Sequence, residues 1–316
     1  MTVNEAYNSF IEYGRSYWAP KTLTYYERNL GFFLDFLQGS GALENDINTL
    51  SSTVLMEYLV YLRSRDRYSS HPLRSSMKSV DGKIKSNTVN SYMRAVKAFF
   101  NYLYRLHLTD QKFTEGVRLP RSDDDQIIPL LRDEVARIDA VFDRTCANDL
   151  RNLCIIHLML DAGLRVQEVI SLRPGDVIFD SNTIVVNRSK GDKSRVVILA
   201  PPLLGYLKDY ISVFKPVGVM FFTAVDHNPI SESAIRALFL RVIRNTGISR
   251  LHPHLLRHTF ATSYIMGGGN LETLRILMGH FDYSVTRKYL HLASQYQILG
   301  ADIYPLDPVF FRTAYR

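Results

Sequence analysis

The chain has 316 residues, and 46% of them are hydrophobic, enough to fill packed cores and too many for a disordered chain. Its 38 Lys and Arg exceed its 31 Asp and Glu, and the formal charge of +7 suits an anionic partner such as nucleic acid. Two cysteines, Cys146 and Cys154, exclude a disulfide framework and form no zinc signature, which fits a reducing, cytoplasmic compartment. No apolar run approaches the roughly 18 residues of a membrane span, and the opening residues lack the pattern of a signal peptide. At about 150 residues per domain, two domains are expected.

The first third reads as helices. One pattern begins within the opening residues. Thr22 to Leu37 places Tyr26, Leu30, Phe33 and Leu37 on one face. Leu55, Leu59 and Leu62 mark another helix, with Ser51 and Ser52 as caps. Val89, Met93, Val96, Phe100, Leu103 and Leu106 form a long amphipathic stripe. Aromatic residues at such spacings belong to a core rather than to a base-stacking platform. The segment from Arg63 to Lys97 holds nine basic residues, Arg63, Arg65, Arg67, Arg74, Lys78, Lys83, Lys85, Arg94 and Lys97, against Asp66 and Asp81. Its net charge of +7 equals that of the whole chain. Its Ser-rich middle reads either as a solvated insert or as a strap against phosphates, where each neutralised phosphate releases counterions. The residues downstream favour the strap. Residues 115–127 carry Gly116, Pro120 and Asp123, Asp124 and Asp125 without apolar periodicity, and read as an exposed linker between domains 1–114 and 128–316.

Helical patterns resume at Arg132 to Phe142 and Asp149 to Leu160. Two β-branched runs, Thr183 to Arg188 and Arg195 to Leu199, flank Ser189-Lys190-Gly191-Asp192 and predict a β-hairpin with Lys190 at its tip. Further helices are expected over 202–214, 231–245, 253–266, 271–278 and 284–290.

Against this frame a scattered set of polar residues stands out: Arg165 and Glu168, Lys190, His254, Arg257 and His258, His280, and Tyr289. Two arginines can present planar forks to phosphate oxygens. A lysine can protonate a leaving alkoxide, histidines can move protons near neutral pH, and a tyrosine can serve as a covalent nucleophile. Each residue also has a plainer reading. Arg165 and Glu168 at i,i+3 suit a local ion pair, Lys190 suits a turn, and Tyr289 is one of 19 tyrosines. His254 and His258 at i,i+4 lack the Glu and the third ligand of a zinc site. His258 and His291 read as supporting rather than catalytic.

Order and spacing raise the set above its parts. The matching stretches are Ala162-Gly163-Leu164-Arg165-Val166-Gln167-Glu168, Ser189-Lys190-Gly191-Asp192-Lys193-Ser194-Arg195, His252 to Thr262, Leu277-Met278-Gly279-His280, and Thr286-Arg287-Lys288-Tyr289-Leu290-His291. Together they resemble the tyrosine recombinase (phage integrase) family, at motif level over about residues 125–292. Met278 stands where Leu is usual.

The resemblance implies a mainly α fold with a small antiparallel sheet: a helical, SAM-like core-binding domain ahead of the catalytic domain, closing as a clamp on duplex DNA. It implies that Tyr289 attacks the scissile phosphate to give a 3′-phosphotyrosyl link, that Arg165 and Arg257 clamp the phosphate, and that Lys190 protonates the 5′ oxygen. By the same resemblance His254 assists the nucleophile, His280 supports the phosphate, and Glu168 and His258 hold the site in shape. Groove and phosphate contacts fall to Arg63, Arg67, Arg74, Lys78, Lys83, Lys85, Arg94 and Lys97. No cofactor and no metal is implied. The expected partners are double-stranded DNA and three further copies of the chain, passing through a Holliday junction from a monomer free in solution, with a directionality factor left open. The apolar tail, with Ile303, Leu306, Val309, Phe310 and Phe311, is expected to dock on a neighbouring protomer. With no separate arm-binding domain expected, the type is Xer-like or mobile-element. A type IB topoisomerase and a catalytically silent DNA-binding factor are the alternatives.

Overall fold

The computed structural model describes residues 1–66, 82–121, 127–187, 194–221, 228–279 and 282–306. The chain divides into two compact units, Met1–Asp125 and Gln126–Arg316. Among the described residues, no helix is long and apolar enough to cross a membrane.

Among the described residues the first unit has four α-helices, α1 (Val3–Tyr17), α2 (Pro20–Gly39), α3 (Val54–Ser64) and α4 (Ser86–Arg105). Thr2 and Glu5 form a reciprocal capping box that starts α1 within the first three residues. α3 begins later than Ser51 and Ser52 suggest, because Thr53 is its N-cap and Ser51 instead accepts from the Thr53 amide at 3.1 Å. The expected stripe on α4 is buried from Val89 through Leu103, whereas Leu106 lies past the last turn and is 52% exposed. The aromatics are core. Phe10 meets Trp18, Tyr26, Phe99 and Tyr102 edge-on at centroid distances of 4.9 to 5.5 Å. Residues 115–121, expected to be exposed linker, are exposed at Glu115, Gly116, Arg118 and Arg121 but are tied to this unit at Val117 and Pro120. Val117 is buried, its carbonyl accepts from Lys97 at 2.9 Å, and the Pro120 carbonyl accepts from Asn90 at 3.0 Å.

The second unit is mainly helical, with α5 (Arg132–Asp139), α6 (Ala147–Leu160), α7 (Val166–Ser171), α8 (Pro201–Phe214), α9 (Glu232–Thr246), α10 (Pro253–Met266), α11 (Leu271–Met278) and α12 (Tyr283–Ile298). A three-stranded antiparallel sheet in the order β1 (Val177–Ile178), β2 (Thr183–Val186), β3 (Arg195–Ile198) lies between α7 and α8. The hairpin register pairs Val186 with Arg195 and Thr183 with Ile198. Two helices run through the core. On α6 every residue from Asn152 to Leu160 is buried, and on α10 nearly every residue from Leu255 to Tyr264 is. α12 runs past the expected end at 290, because Thr286, Tyr289, Ala293 and Tyr296 carry one buried stripe onward.

Two of the apolar tail residues depart from their expected role. Ile303 and Leu306 are buried in their own unit and do not form a free docking surface. The backbone explains this: Leu131 and Ile303 form an antiparallel bridge, and the Arg132 and Tyr304 amides donate across it. Val309, Phe310 and Phe311 lie outside the described residues.

Candidate active site

The site is organised by one carboxylate and one helix end. Arg165 is the N-cap residue of α7, and Glu168 is its third residue. Oε2 of Glu168 accepts from the Arg165 amide at 2.7 Å, and Oε1 accepts from Arg165 Nη1 at 3.1 Å. From the base of the hairpin, Arg195 grips the same carboxylate with both Nη atoms, each at 2.7 Å. Arg257 on α10 approaches Oε2 at 4.0 Å. Burial opposes ionisation of Glu168, but the hydrogen bonds and charge of Arg195, the Arg165 amide and Arg257 overcome it and pull the carboxyl down to about 2. Three guanidinium groups thus surround one carboxylate, leaving two positive charges uncompensated within the cluster.

The end of α11 fixes the same three arginines a second time. Arg195 Nε donates to the Leu277 carbonyl at 2.7 Å, Arg257 Nη2 donates to Met278, and Arg165 Nη2 donates to Gly279 at 3.1 Å. The last carbonyls of a helix have no partner within it and carry the negative end of its dipole, so they suit cations. Gly279 closes α11 in the left-handed conformation, φ +58°. A second glycine shapes the opposite wall. Gly163 has φ +64°, a Cβ there would lie 2.6 Å from the Phe260 ring, and its carbonyl accepts from Arg257 Nη1. Burial and the neighbouring Arg165 charge lower the Arg257 guanidinium to about 9.

Tyr289 faces this cluster from α12 and is 1% exposed. Burial raises its hydroxyl to about 12, against the opposing pull of Arg257 and Arg165. Its hydroxyl lies 2.6 Å from Nδ1 of His258 on α10. His254, one turn earlier, is largely exposed, and the partial burial of its ring together with the charges of His252, Arg257 and Arg165 lowers its pKa.

The structure therefore brings together Arg165, Glu168, Arg257, His258 and Tyr289, with His254 one turn away on α10. Lys190 and His280 lie outside the described residues, although β2 and β3 lead to the first and Gly279 precedes the second. Arg195 is the residue that the sequence reading passed over. The signal was the two-residue period of β3: Arg195 shares a face with Val197, which is fully buried, so its side chain points inward.

The basic residues of the first unit divide. Arg63, Lys85 and Arg94 are exposed. Lys83 donates to the Ser64 carbonyl at 2.5 Å and to Asp66 at 3.0 Å, and Lys97 is engaged with Val117 as described. Arg67, Arg74 and Lys78 lie outside the described residues.

Residues 130–296, more than half of the chain, match the sequence model of the phage integrase family. The chain belongs to the phage integrase family. A tyrosine recombinase of Thermosipho africanus is 28% identical over 296 residues, covering 93% of this chain and 96% of that protein. Tyrosine recombinase XerC of Lactobacillus delbrueckii subsp. bulgaricus is 26% identical over 94% of this chain and 96% of its own length. Among solved structures, the Tn1549 transposon integrase in complex with a circular intermediate DNA superposes with a TM-score of 0.71 at 18% identity, covering 92% of this chain and 95% of that one. A lambda integrase dimer bound to a core site superposes at 0.69 with 14% identity, over 92% and 95% of the two chains. The phage integrase fold is thus shared at low sequence identity, mostly helical with its small antiparallel sheet.

Proposed function

We propose that this chain is a site-specific DNA recombinase that cuts and rejoins duplex DNA through a covalent 3′-phosphotyrosyl link at Tyr289. The observation that carries the reading is the convergence of Arg165 and Arg257 on Glu168 within electrostatic reach of the Tyr289 hydroxyl. Membership of the phage integrase family and the likeness to named tyrosine recombinases support it.

The chemistry follows from charge. A phosphodiester carries one negative charge and gathers about one more as a fifth oxygen joins phosphorus. Because Arg195 neutralises Glu168, the forks of Arg165 and Arg257 remain to meet that growing charge, held in place before the substrate arrives. Tyr289 Oη forms the bond to phosphorus and the bond to the 5′ oxygen breaks. Lys190, by its motif, protonates that oxygen, and His280 adds a donor. The phosphotyrosine conserves the bond energy, so rejoining needs neither ATP nor a metal. Exchange follows when the 5′ hydroxyl of a second duplex reverses the attack, with four copies of the chain on two duplexes. Arg63, Lys85 and Arg94 on the first unit are its contribution to phosphate binding.

The test uses a pool of nicked duplexes with a randomised insert, incubated with the protein and then denatured. A denaturation-resistant adduct from wild type, absent with Tyr289→Phe, is expected, and its DNA identifies the site. No adduct from wild type refutes the enzyme and leaves a silent DNA-binding protein. A plasmid carrying two recovered sites then separates exchange products from mere relaxation, the mark of a topoisomerase.

A further inference from the structure

We propose that His258 is the proton acceptor for the Tyr289 hydroxyl, an inference that rests on the recombinase reading above. Sequence order points to His254 for this task. The geometry points elsewhere. His258 sits beside Arg257 on the buried helix α10, and its Nδ1 lies 2.6 Å from the Tyr289 oxygen, with the rings 5.7 Å apart. The α10 backbone holds its place, because Thr262 donates to the His258 carbonyl at 2.9 Å. His254 is exposed on the preceding turn.

The proton can be followed through the step. Tyr289 Oη forms a bond to phosphorus, the bond from phosphorus to the 5′ oxygen breaks, and the phenol proton passes to His258 Nδ1. The 5′ oxygen takes its own proton from the general acid. In the rejoining step the imidazolium returns its proton to the departing phenolate, so no proton is lost to solvent over a cycle.

The electrostatics make this transfer conditional on DNA. Burial lowers His258 to about 4, helped by Lys288 on α12, by His254 and Arg257 on α10, and by His252 at its start. The tyrosine stands near 12, again through burial. Without substrate the proton therefore stays on the phenol. A phosphate seated beside Arg257 offsets one of the cations that depress the imidazole and brings a negative charge close to it, raising its basicity as the nucleophile is needed. The resting enzyme keeps its tyrosine unreactive, and the scissile phosphate switches on the base.

The test uses the duplex recovered by covalent trapping, remade with sulfur in place of the 5′ bridging oxygen, so that the leaving group needs no proton. His258→Gln should slow adduct formation by about 10²–10⁴-fold, the usual contribution of a general base. Replacing Tyr289 by 3,5-difluorotyrosine, a more acidic phenol, should recover most of that loss. Two results overturn the inference while leaving the recombinase reading intact: cleavage by His258→Gln at the wild-type rate, or a loss of equal size with the fluorinated nucleophile, which marks a merely structural role. No adduct from wild type overturns both. If His258→Gln does not fold, nitrogen NMR of the DNA-free wild type decides. An unprotonated Nδ1 accepting from the tyrosine supports the inference, and a protonated Nδ1 refutes it.

Discussion

Replacing Arg195 by Met tests whether the site is held by the carboxylate and the helix end. The Arg195 side chain is 3% exposed and makes three charge-assisted hydrogen bonds, two to Glu168 and one to the Leu277 carbonyl. Methionine fills similar space but leaves the Glu168 carboxylate, 9% exposed, short of its best partner. Breaking a buried pair in this way costs about 3–5 kcal/mol. An independent figure comes from ionisation. Glu168 moves from 4.5 to about 2 on folding, and at about 1.36 kcal/mol per unit that shift contributes roughly 3 kcal/mol.

The sign sets the pH window. The folded pKa is depressed, so this stability is fully present above pH 4.5 and is lost as pH falls toward about 2. The gap between wild type and Arg195→Met should be widest near pH 7 and close through that window. Urea unfolding followed by far-UV circular dichroism measures it. Trp18 is the single tryptophan and lies in the first unit, so its fluorescence transition should not move. Adding Glu168→Gln to Arg195→Met should restore part of the loss, because the stranded charge is removed. A variant within about 0.5 kcal/mol of wild type at pH 7, the range of an ordinary surface substitution, refutes the reasoning.

Three other outcomes follow from the same geometry. Tyr289→Phe should abolish covalent trapping of DNA while changing stability by only about 1 kcal/mol, the net worth of one hydrogen bond to His258, as thermal melting would show. Gly163→Ala should destabilise the second unit by about 2–4 kcal/mol, from a strained φ and a clash with Phe260. Circular dichroism melts measure this, and a neutral result would mean that the α6–α7 turn is not fixed. Changing Arg63, Lys85 and Arg94 to Gln should weaken DNA binding and flatten the slope of log K against log salt by roughly 0.9 for each phosphate no longer neutralised. Lys83→Gln should do less, since its ammonium is already engaged with Ser64 and Asp66.

The sequence was most informative where local chemistry is strong. The stripes on α2 and α4, the hairpin and the polar motifs follow from periodicity, turn residues and spacing, which act over a few residues. What it could not show depends on distant partners. Nothing local says that the described part of 115–127 is tied to α4 at Val117 and Pro120, because the groups that hold it, Asn90 and Lys97, lie some twenty to thirty residues away. Ile303 misled for a similar reason. Apolar residues at a chain end look available for a neighbour, yet Ile303 finds an open edge at Leu131 in its own unit. His258 drew little weight beside His254, since four residues apart on a helix the two differ only in which of them meets α12.

The order of the motifs has a physical meaning that emerges only in three dimensions. Arg165, Arg195 and Arg257 come from an α7 cap, a strand and a core helix, yet they donate to three successive carbonyls, Leu277, Met278 and Gly279. The Leu-Met-Gly stretch thus acts through its backbone, and the glycine matters because it ends the helix where those carbonyls point at the cations. This also accounts for the tolerance of Met278, whose side chain is buried in the core while its carbonyl serves Arg257. The chain's excess of +7 bears on this site very little. Two of its three arginine side chains, Arg195 and Arg257, are almost fully buried; on the proposed mechanism Arg257 acts with Arg165 on a bound phosphate while Arg195 holds Glu168. On the proposed function, affinity for DNA and the power to cut it would rest on separate sets of cations, the first exposed and replaceable one at a time, the second locked to a single carboxylate and a single helix end.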